Sequence, residues 1–262
     1  MKRLIPALLL ENNTLYKTKK FSNYKYVGDP VNTLRVFSEK GADEAFIIDK
    51  SARSNGINLE LLSEIAANSF MPLTYAGSVR CVEDATKIIS CGIERIALGV
   101  YSQSNIALIN EISTYLGKSG VCAILNIATY GKFQLLYDYK KKRPRFRYKL
   151  SEAIRDLNNS STGEVVLVDV MNEGTRSGFS LQCLTPLFRK DIPLMAYGGV
   201  ASHDEVEALW SLGFTGVAAS ALLTLRPPFD SVMISYPDFK TRCRDQNLTQ
   251  PQISIDRYDK LV

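Results

Sequence analysis

Residues 74–99 read TYAGSVRCVEDATKIISCGIERIALG, and residues 195–220 read MAYGGVASHDEVEALWSLGFTGVAAS. Laid side by side, the two stretches share one plan. An aromatic residue and a glycine close an apolar run, then a valine and an acidic residue follow. A segment of helical period then ends on a second glycine 15 residues after the first, Gly77 to Gly92 and Gly198 to Gly213. The offset is 121 residues, just under half of the 262-residue chain. Self-similarity at a fixed period marks a repeated architecture, so the chain reads as two related halves.

Working outward, the same alternation fills the whole sequence. Strand-like runs occur at 3–10 (RLIPALLL), 44–49 (EAFIID), 72–77 (PLTYAG) and 95–100 (RIALGV), and again at 121–126 (VCAILN), 164–170 (EVVLVDV), 192–197 (IPLMAY) and 216–220 (GVAAS). They are nearly continuous in hydrocarbon, as expected of parallel strands covered on both faces. Helical segments lie between them, and Gly41, Gly92, Gly117 and Gly213 mark helix ends. Eight strands alternating with helices over this length predict a single (β/α)₈ TIM barrel built from two half-barrels, about 1–120 and 121–245, with a polar tail at 246–262. Hydrophobic residues make up 45% of the chain, enough for a sizeable core. No stretch suits a membrane span or a secretory signal, and the net charge of +5 is spread without a nucleic-acid signature. The five cysteines, Cys81, Cys91, Cys122, Cys183 and Cys243, show no CxxC spacing. A reducing cytoplasm fits, and neither a metal nor a cofactor is expected.

In such barrels the C-terminal strand ends carry the site. Gly77 after strand 3 and Gly198-Gly199 after strand 7 sit there, where glycine lets backbone N–H groups approach a phosphate. Gly174-Thr175 and Ala219-Ser220 add donors on the second half's side, and Ser78 and Val100 on the first. Two anion cradles are therefore expected, for a small molecule bearing phosphate at each end; the alternative is that βα turns simply need glycine. The remaining carboxylates near this face are Asp49, Asp169 and Glu173. At the opposite ends, Arg3, Glu44, Arg95 and Glu164 stand at the starts of strands 1, 2, 4 and 6. Two arginines and two glutamates there could pair across the lower mouth. Strand 1, however, ends in Leu8, Leu9 and Leu10, hydrocarbon where chemistry is expected.

The motifs KRLIP, VGDP (27–30), DEAFIID (43–49), EGTRSG (173–178) and YGGV (197–200) together resemble the cyclase subunit of imidazole glycerol phosphate synthase, the HisF family of histidine biosynthesis. The resemblance runs over nearly the whole chain. It implies a duplicated barrel with two phosphate sites, a HisH-like glutaminase on the lower face and an ammonia passage along the axis. The family's charged gate falls on Arg3, Glu44, Arg95 (where lysine is usual) and Glu164. Its loop-1 lysine falls on Lys17, in the lid-like stretch KTKKFSNYKY. Its general acid/base aspartates fall on Leu9 and Asn126, and neither side chain can exchange a proton usefully at neutral pH.

Leucine there, in a segment of the form PxLLL…KT…F…YVGDP, resembles the HisF-like branch associated with acetamidino modification of bacterial surface sugars. That branch implies an ammonia-channelling subunit serving a glutaminase and a separate, transiently bound sugar amidotransferase in lipopolysaccharide O-antigen or related glycan synthesis. The alternatives are an ordinary cyclase whose acid/base work has moved to Asp49 or Asp169, and a non-catalytic scaffold that activates the glutaminase. The ammonia path is expected to be lined by small or apolar residues such as Ala7, Ala123 and Leu125. The basic run KKKRPRFRYK (140–149) reads as a solvated β-hairpin between two strand-like segments, FQLLYDY and PRFRYKL. His203, the single histidine, reads as part of a helix start, and Trp210 as packing.

Overall fold

The computed structural model describes residues 2–20, 22–131, 133–138, 141–228 and 230–237, so the expected tail at 246–262 lies outside the described residues. Eight parallel strands close into a barrel: β1 (Arg3–Glu11), β2 (Ala45–Asp49), β3 (Leu73–Ala76), β4 (Arg95–Gly99), β5 (Val121–Tyr130), β6 (Glu164–Asp169), β7 (Leu194–Tyr197) and β8 (Gly216–Ala219). Each strand pairs with the next, and β8 returns to β1 with Arg3 opposite Gly216. The chain is a (β/α)₈ TIM barrel. The matched stretches of sequence form β3–helix–β4 and β7–helix–β8, diametrically opposite in the ring.

Burial divides along each strand by parity. One set of residues packs outward against the helices: Leu4, Leu8 and Leu10 of β1 join Phe37, Ile65, Ile88 and Leu209 in the outer core. The alternate set forms an inner cluster that includes Ile5, Ala7, Phe46, Ala97, Cys122 and Val166. Ala7 lines the interior as expected, but Ala123 and Leu125 do not. Both belong to the outer core, and Cys122 and Ile124 take the inward positions of β5. A strand that is apolar on both faces carries no hydrophobic alternation to reveal which face points in.

Two β-hairpins rise from the upper, C-terminal ends of β1 and β5. Strand β1 turns back as residues Thr14–Lys19, which pair with Ser22–Gly28. The positive φ of Asn12 and Asn13 makes the first turn, a conformation asparagine tolerates better than most residues. Strand β5 runs past the barrel rim to Tyr130 and pairs antiparallel with Phe133–Asp138. The longer hairpin forms between β5 and FQLLYD; a short one across the basic run pairs Tyr137 and Asp138 with Pro144 and Arg143, so that Pro144 alone of PRFRYKL is strand. Pro144 has no N–H to continue a ladder, and the helix Leu150–Asn158 begins soon after.

At the lower end, Tyr236 reaches back to the first half, where its hydroxyl donates to Leu4 O at 2.8 Å. Ser202 caps the helix His203–Ser211 by accepting from Glu205 N at 3.2 Å, which puts His203 at the helix start. Trp210 packs against the outer core.

Candidate functional site

The lower mouth is closed by a ring of ion pairs. Arg3 pairs with Glu44 at 2.6 Å and with Glu164; Arg95 pairs with Glu164 at 2.6 Å and with Glu44. Each arginine thus bridges both glutamates. The Thr74 hydroxyl donates to Glu44 at 2.6 Å and accepts from Arg95 Nε at 3.1 Å, bracing the ring from β3. The glutamate side chains are 2–3% exposed and the arginines 18%, so the carboxylates face the barrel and the guanidinium groups touch solvent. Immediately inside lies Cys122, whose thiol burial pushes up to about 12. The wall beyond it is hydrocarbon.

The upper mouth is organised differently. Leu9 is buried at the end of β1, and Asn126 is buried on β5 with its Nδ2 donating to Tyr101 Oη at 2.8 Å. The Tyr101 ring folds over Gly99, where a Cβ would lie 2.6 Å from it. Burial raises the Tyr101 phenol to about 12, so it stays protonated at neutral pH.

Each carboxylate near this rim has partners of its own. Asp49 accepts from Ser51 Oγ at 2.8 Å, Ala52 N at 2.9 Å and Tyr75 Oη at 2.9 Å. Asp169 accepts from Met171 N, Asn172 N and Nδ2, and from Ser180 N and Oγ at 2.6 Å. Both carboxylates tie down the loops that follow their strands. Glu173 pairs with Lys17 and accepts from Thr18 Oγ at 3.2 Å. Burial lowers the Lys17 pKa, against the opposing pull of Glu173.

That pair sits over one of the two expected cradles. Gly174, Gly198, Gly199, Ala219 and Ser220 line a single pocket with Lys17, Arg176 and Tyr197. Close backbone approaches explain the glycines: a Cβ on Gly199 (φ 87°) would lie 2.4 Å from Gly178 O, and one on Gly174 (φ 72°) 2.1 Å from Thr18 O. The hairpin carrying Lys17 is thus seated directly on the β6 loop. Thr175 is apart, its hydroxyl donating to Asn172 O at 2.8 Å.

The first-half turn is not assembled in the same way. A Cβ on Gly77 would meet the Tyr75 hydroxyl at 2.4 Å, and Ser78 lines a separate, outward cleft. The Val100 N–H donates to Ile124 O at 2.9 Å and its side chain is fully buried, so Val100 offers this cradle no donor, contrary to expectation. Tyr101, Tyr197 and Arg176 were not singled out in the sequence. A tyrosine two residues beyond the Gly99 strand end, and one directly before Gly198-Gly199, were the available signals.

An eight-stranded barrel with an ion-paired lower mouth and a glycine-lined upper cradle defines a class of (β/α)₈ barrel proteins, and comparisons narrow that class. The family of histidine biosynthesis proteins matches residues 3–226. A Leptospira interrogans protein named "Putative imidazole glycerol phosphate synthase subunit HisF" is 31% identical over 254 residues, covering 90% of this chain and 95% of that one. A Pseudomonas aeruginosa protein named "Putative imidazole glycerol phosphate synthase subunit hisF2" is 31% identical over 242 residues, covering 90% and 96%. The Pyrococcus furiosus "Imidazole glycerol phosphate synthase subunit HisF" is 26% identical over 224 residues, covering 84% and 89%. The chain belongs to the histidine biosynthesis protein family and is HisF-like over nearly its whole length. Among its described residues, no helix is long and apolar enough to cross a membrane.

Proposed function

We propose that this chain is a HisF-like subunit that receives ammonia from a HisH-like glutaminase at its lower mouth and passes it to acetamidino-sugar formation, having given up imidazole glycerol phosphate synthesis. The observation that carries this reading is the contrast between the two mouths. Arg3, Glu44, Arg95 and Glu164 form an intact ion-paired ring, the arrangement a gate requires. The carboxylates at the other end, Asp49, Asp169 and Glu173, are held by their own neighbours, and Leu9 and Asn126, both buried, stand where the family resemblance puts its acid/base aspartates.

A gate of this kind excludes water and ions while opening briefly for a small neutral molecule. The apolar inner wall offers ammonia few groups from which to take a proton, which favours its passage in neutral form. The lower face also suits a protein partner. Phe70 (92% exposed), Tyr115, Leu187 and Leu212 present hydrocarbon to solvent from the helix ends and loops on that side. At the upper face, Gly174, Gly198, Gly199 and Ser220 with Lys17 and Arg176 form the cradle for a phosphate-bearing small molecule.

The test is to purify the chain with its glutaminase and supply the ribonucleotide substrate of the histidine-pathway cyclase with glutamine. Glutamate release without imidazole glycerol phosphate is the expected result. Rescue of a histidine-requiring strain that lacks its own cyclase would overturn the reading in favour of an ordinary synthase subunit. Unchanged ammonia delivery after the axis is plugged, for example by Ala97→Trp, would favour a scaffold that only activates the glutaminase.

A further inference from the structure

Outboard of the β3 turn, an open cleft of about 430 Å³ lies between the segment after β2 and the start of the helix Val82–Ser90. Its volume falls within the range of small-molecule sites, roughly 300–1,000 Å³. Arg53 and Arg80 line it from opposite segments. Both are exposed, and neither side chain forms an ion pair or hydrogen bond with any described residue. Two unpaired guanidinium groups on one cleft are a bidentate anion reader in waiting.

The other polar groups of the lining fit the same ligand. Ser78, at φ 47°, makes no side-chain hydrogen bond to a described residue and is free to donate. Ser54 donates to Ser51 O at 3.1 Å and retains its lone pairs. The one carboxylate, Asp84, accepts from Arg80 N at 2.9 Å, so one of its oxygens is committed to the helix start. Lys87 pairs with Glu83 at 2.6 Å, at the cleft's edge. The apolar part of the lining is Ala52, Ile57 and Leu59, hydrocarbon that suits the face of a sugar ring.

The turn also faces the right way. On the barrel side Tyr101 covers Gly99, the Tyr75 phenol packs beneath Gly77 in the outer core, and Ser78 opens onto the cleft. An anion recruited to the Ser78 turn therefore approaches from outside, over the arginines. We propose that this cleft binds a sugar phosphate, its phosphate held between Arg53 and Arg80 and its ring over Ile57 and Leu59. The site is separate from the Gly198-Gly199 cradle and does not depend on the ammonia reading.

The experiment is a titration of the uniformly ¹⁵N-labelled full chain with inorganic phosphate and with glucose 1-phosphate, at ionic strength fixed with sodium chloride. Saturable amide shifts at Ser54, Gly56 and Ser78 are expected, with glucose 1-phosphate binding more tightly than phosphate. The double variant Arg53→Gln/Arg80→Gln should weaken both ligands at this site by about tenfold or more. Neither arginine holds a structural partner, so the variant should melt with the parent. No shifts at these amides, shifts confined to Gly174, Gly198 and Gly199, or unchanged affinity in a folded double variant would each overturn the proposal. Equal affinity for the two ligands would overturn the sugar assignment.

Discussion

At the lower mouth, four charged side chains from the starts of four strands neutralise one another; at the upper mouth, each carboxylate is held by its own loop or hairpin. The lower ring spans the barrel, since Arg3 and Arg95 each reach both Glu44 and Glu164. Asp49 and Asp169 bond within a few residues of their own position or to the adjoining segment. A cross-barrel ring fixes strands relative to one another and controls what passes between them. Loop-bound carboxylates fix only the rim. The protein therefore keeps its long-range electrostatics at the end where the strands begin, and local electrostatics at the end where they finish.

The largest effect is expected from breaking the ring. Glu164→Ala removes one of two carboxylates shared by two arginines and leaves both guanidinium groups facing Glu44 alone. Loss of one partner of a buried pair costs about 3–5 kcal/mol, and we expect about 4 kcal/mol in urea unfolding. If the ring also gates ammonia, Glu44→Ala and Arg95→Ala should raise the glutamate released per amidino-sugar formed when the glutaminase and amidotransferase are present. A ratio equal to wild type in both variants would remove the gate from the account.

Next is a charge placed in the packing at the end of β1. Leu9→Asp puts a carboxylate at a position 4% exposed, opposite Ile48 and beside Tyr16 in register. Burying a polar group without a partner, together with the lost hydrocarbon, should cost about 3 kcal/mol. A Leu9→Asp variant as stable as wild type would mean that the upper mouth is wetter and more adaptable than the packing around Leu9 implies.

A smaller, pH-dependent difference probes the chamber just above the ring. Burial lifts the Cys122 thiol from its ordinary 9.0 to about 12 in the folded chain, so between those values the unfolded chain has lost a proton that the folded chain keeps. Stability therefore falls as pH rises through that window, and is fully retained below it. Relative to pH 8, wild type should lose about 2 kcal/mol at pH 10.5 that Cys122→Ala does not lose. Equal pH slopes for the two proteins would mean that the thiol ionises readily beside Arg3 and Arg95.

The eight strands were legible because each is a continuous β-rich run flanked by helical period, and the ring was legible because its charges stand immediately before those runs. The inward parity of β5 was less obvious. Ala123 and Leu125 look as suitable for an axial lining as Cys122 and Ile124 do, since all four are apolar and buried. Yet placing Asn126 inward fixes Cys122 and Ile124 inward by the period of two, so the information was present in the spacing. The β5 hairpin was harder, because β5 continues to Tyr130 without a break in character and its partner strand precedes the basic run. Tyr101 folding over Gly99 depends on a turn geometry that the sequence does not spell out.

The smallest predicted effect concerns that tyrosine and tests whether it and Asn126 support one another. Asn126 Nδ2 donates to Tyr101 Oη at 2.8 Å, and both residues are buried. Tyr101→Phe keeps the ring over Gly99 and strands the amide, which should cost about 1 kcal/mol. Asn126→Asp replaces the amide with a carboxylate, but here the bond can reverse, because a protonated phenol can donate to Asp where it accepted from Asn. Asn126→Asp should therefore lose less stability than Leu9→Asp, which gains no such donor. Adding Tyr101→Phe to Asn126→Asp should then cost more than Tyr101→Phe does alone, since a buried carboxylate loses its donor. A double-mutant cycle by urea unfolding reads the coupling directly. Additive changes would mean that Asn126 and Tyr101 occupy the same space without supporting one another.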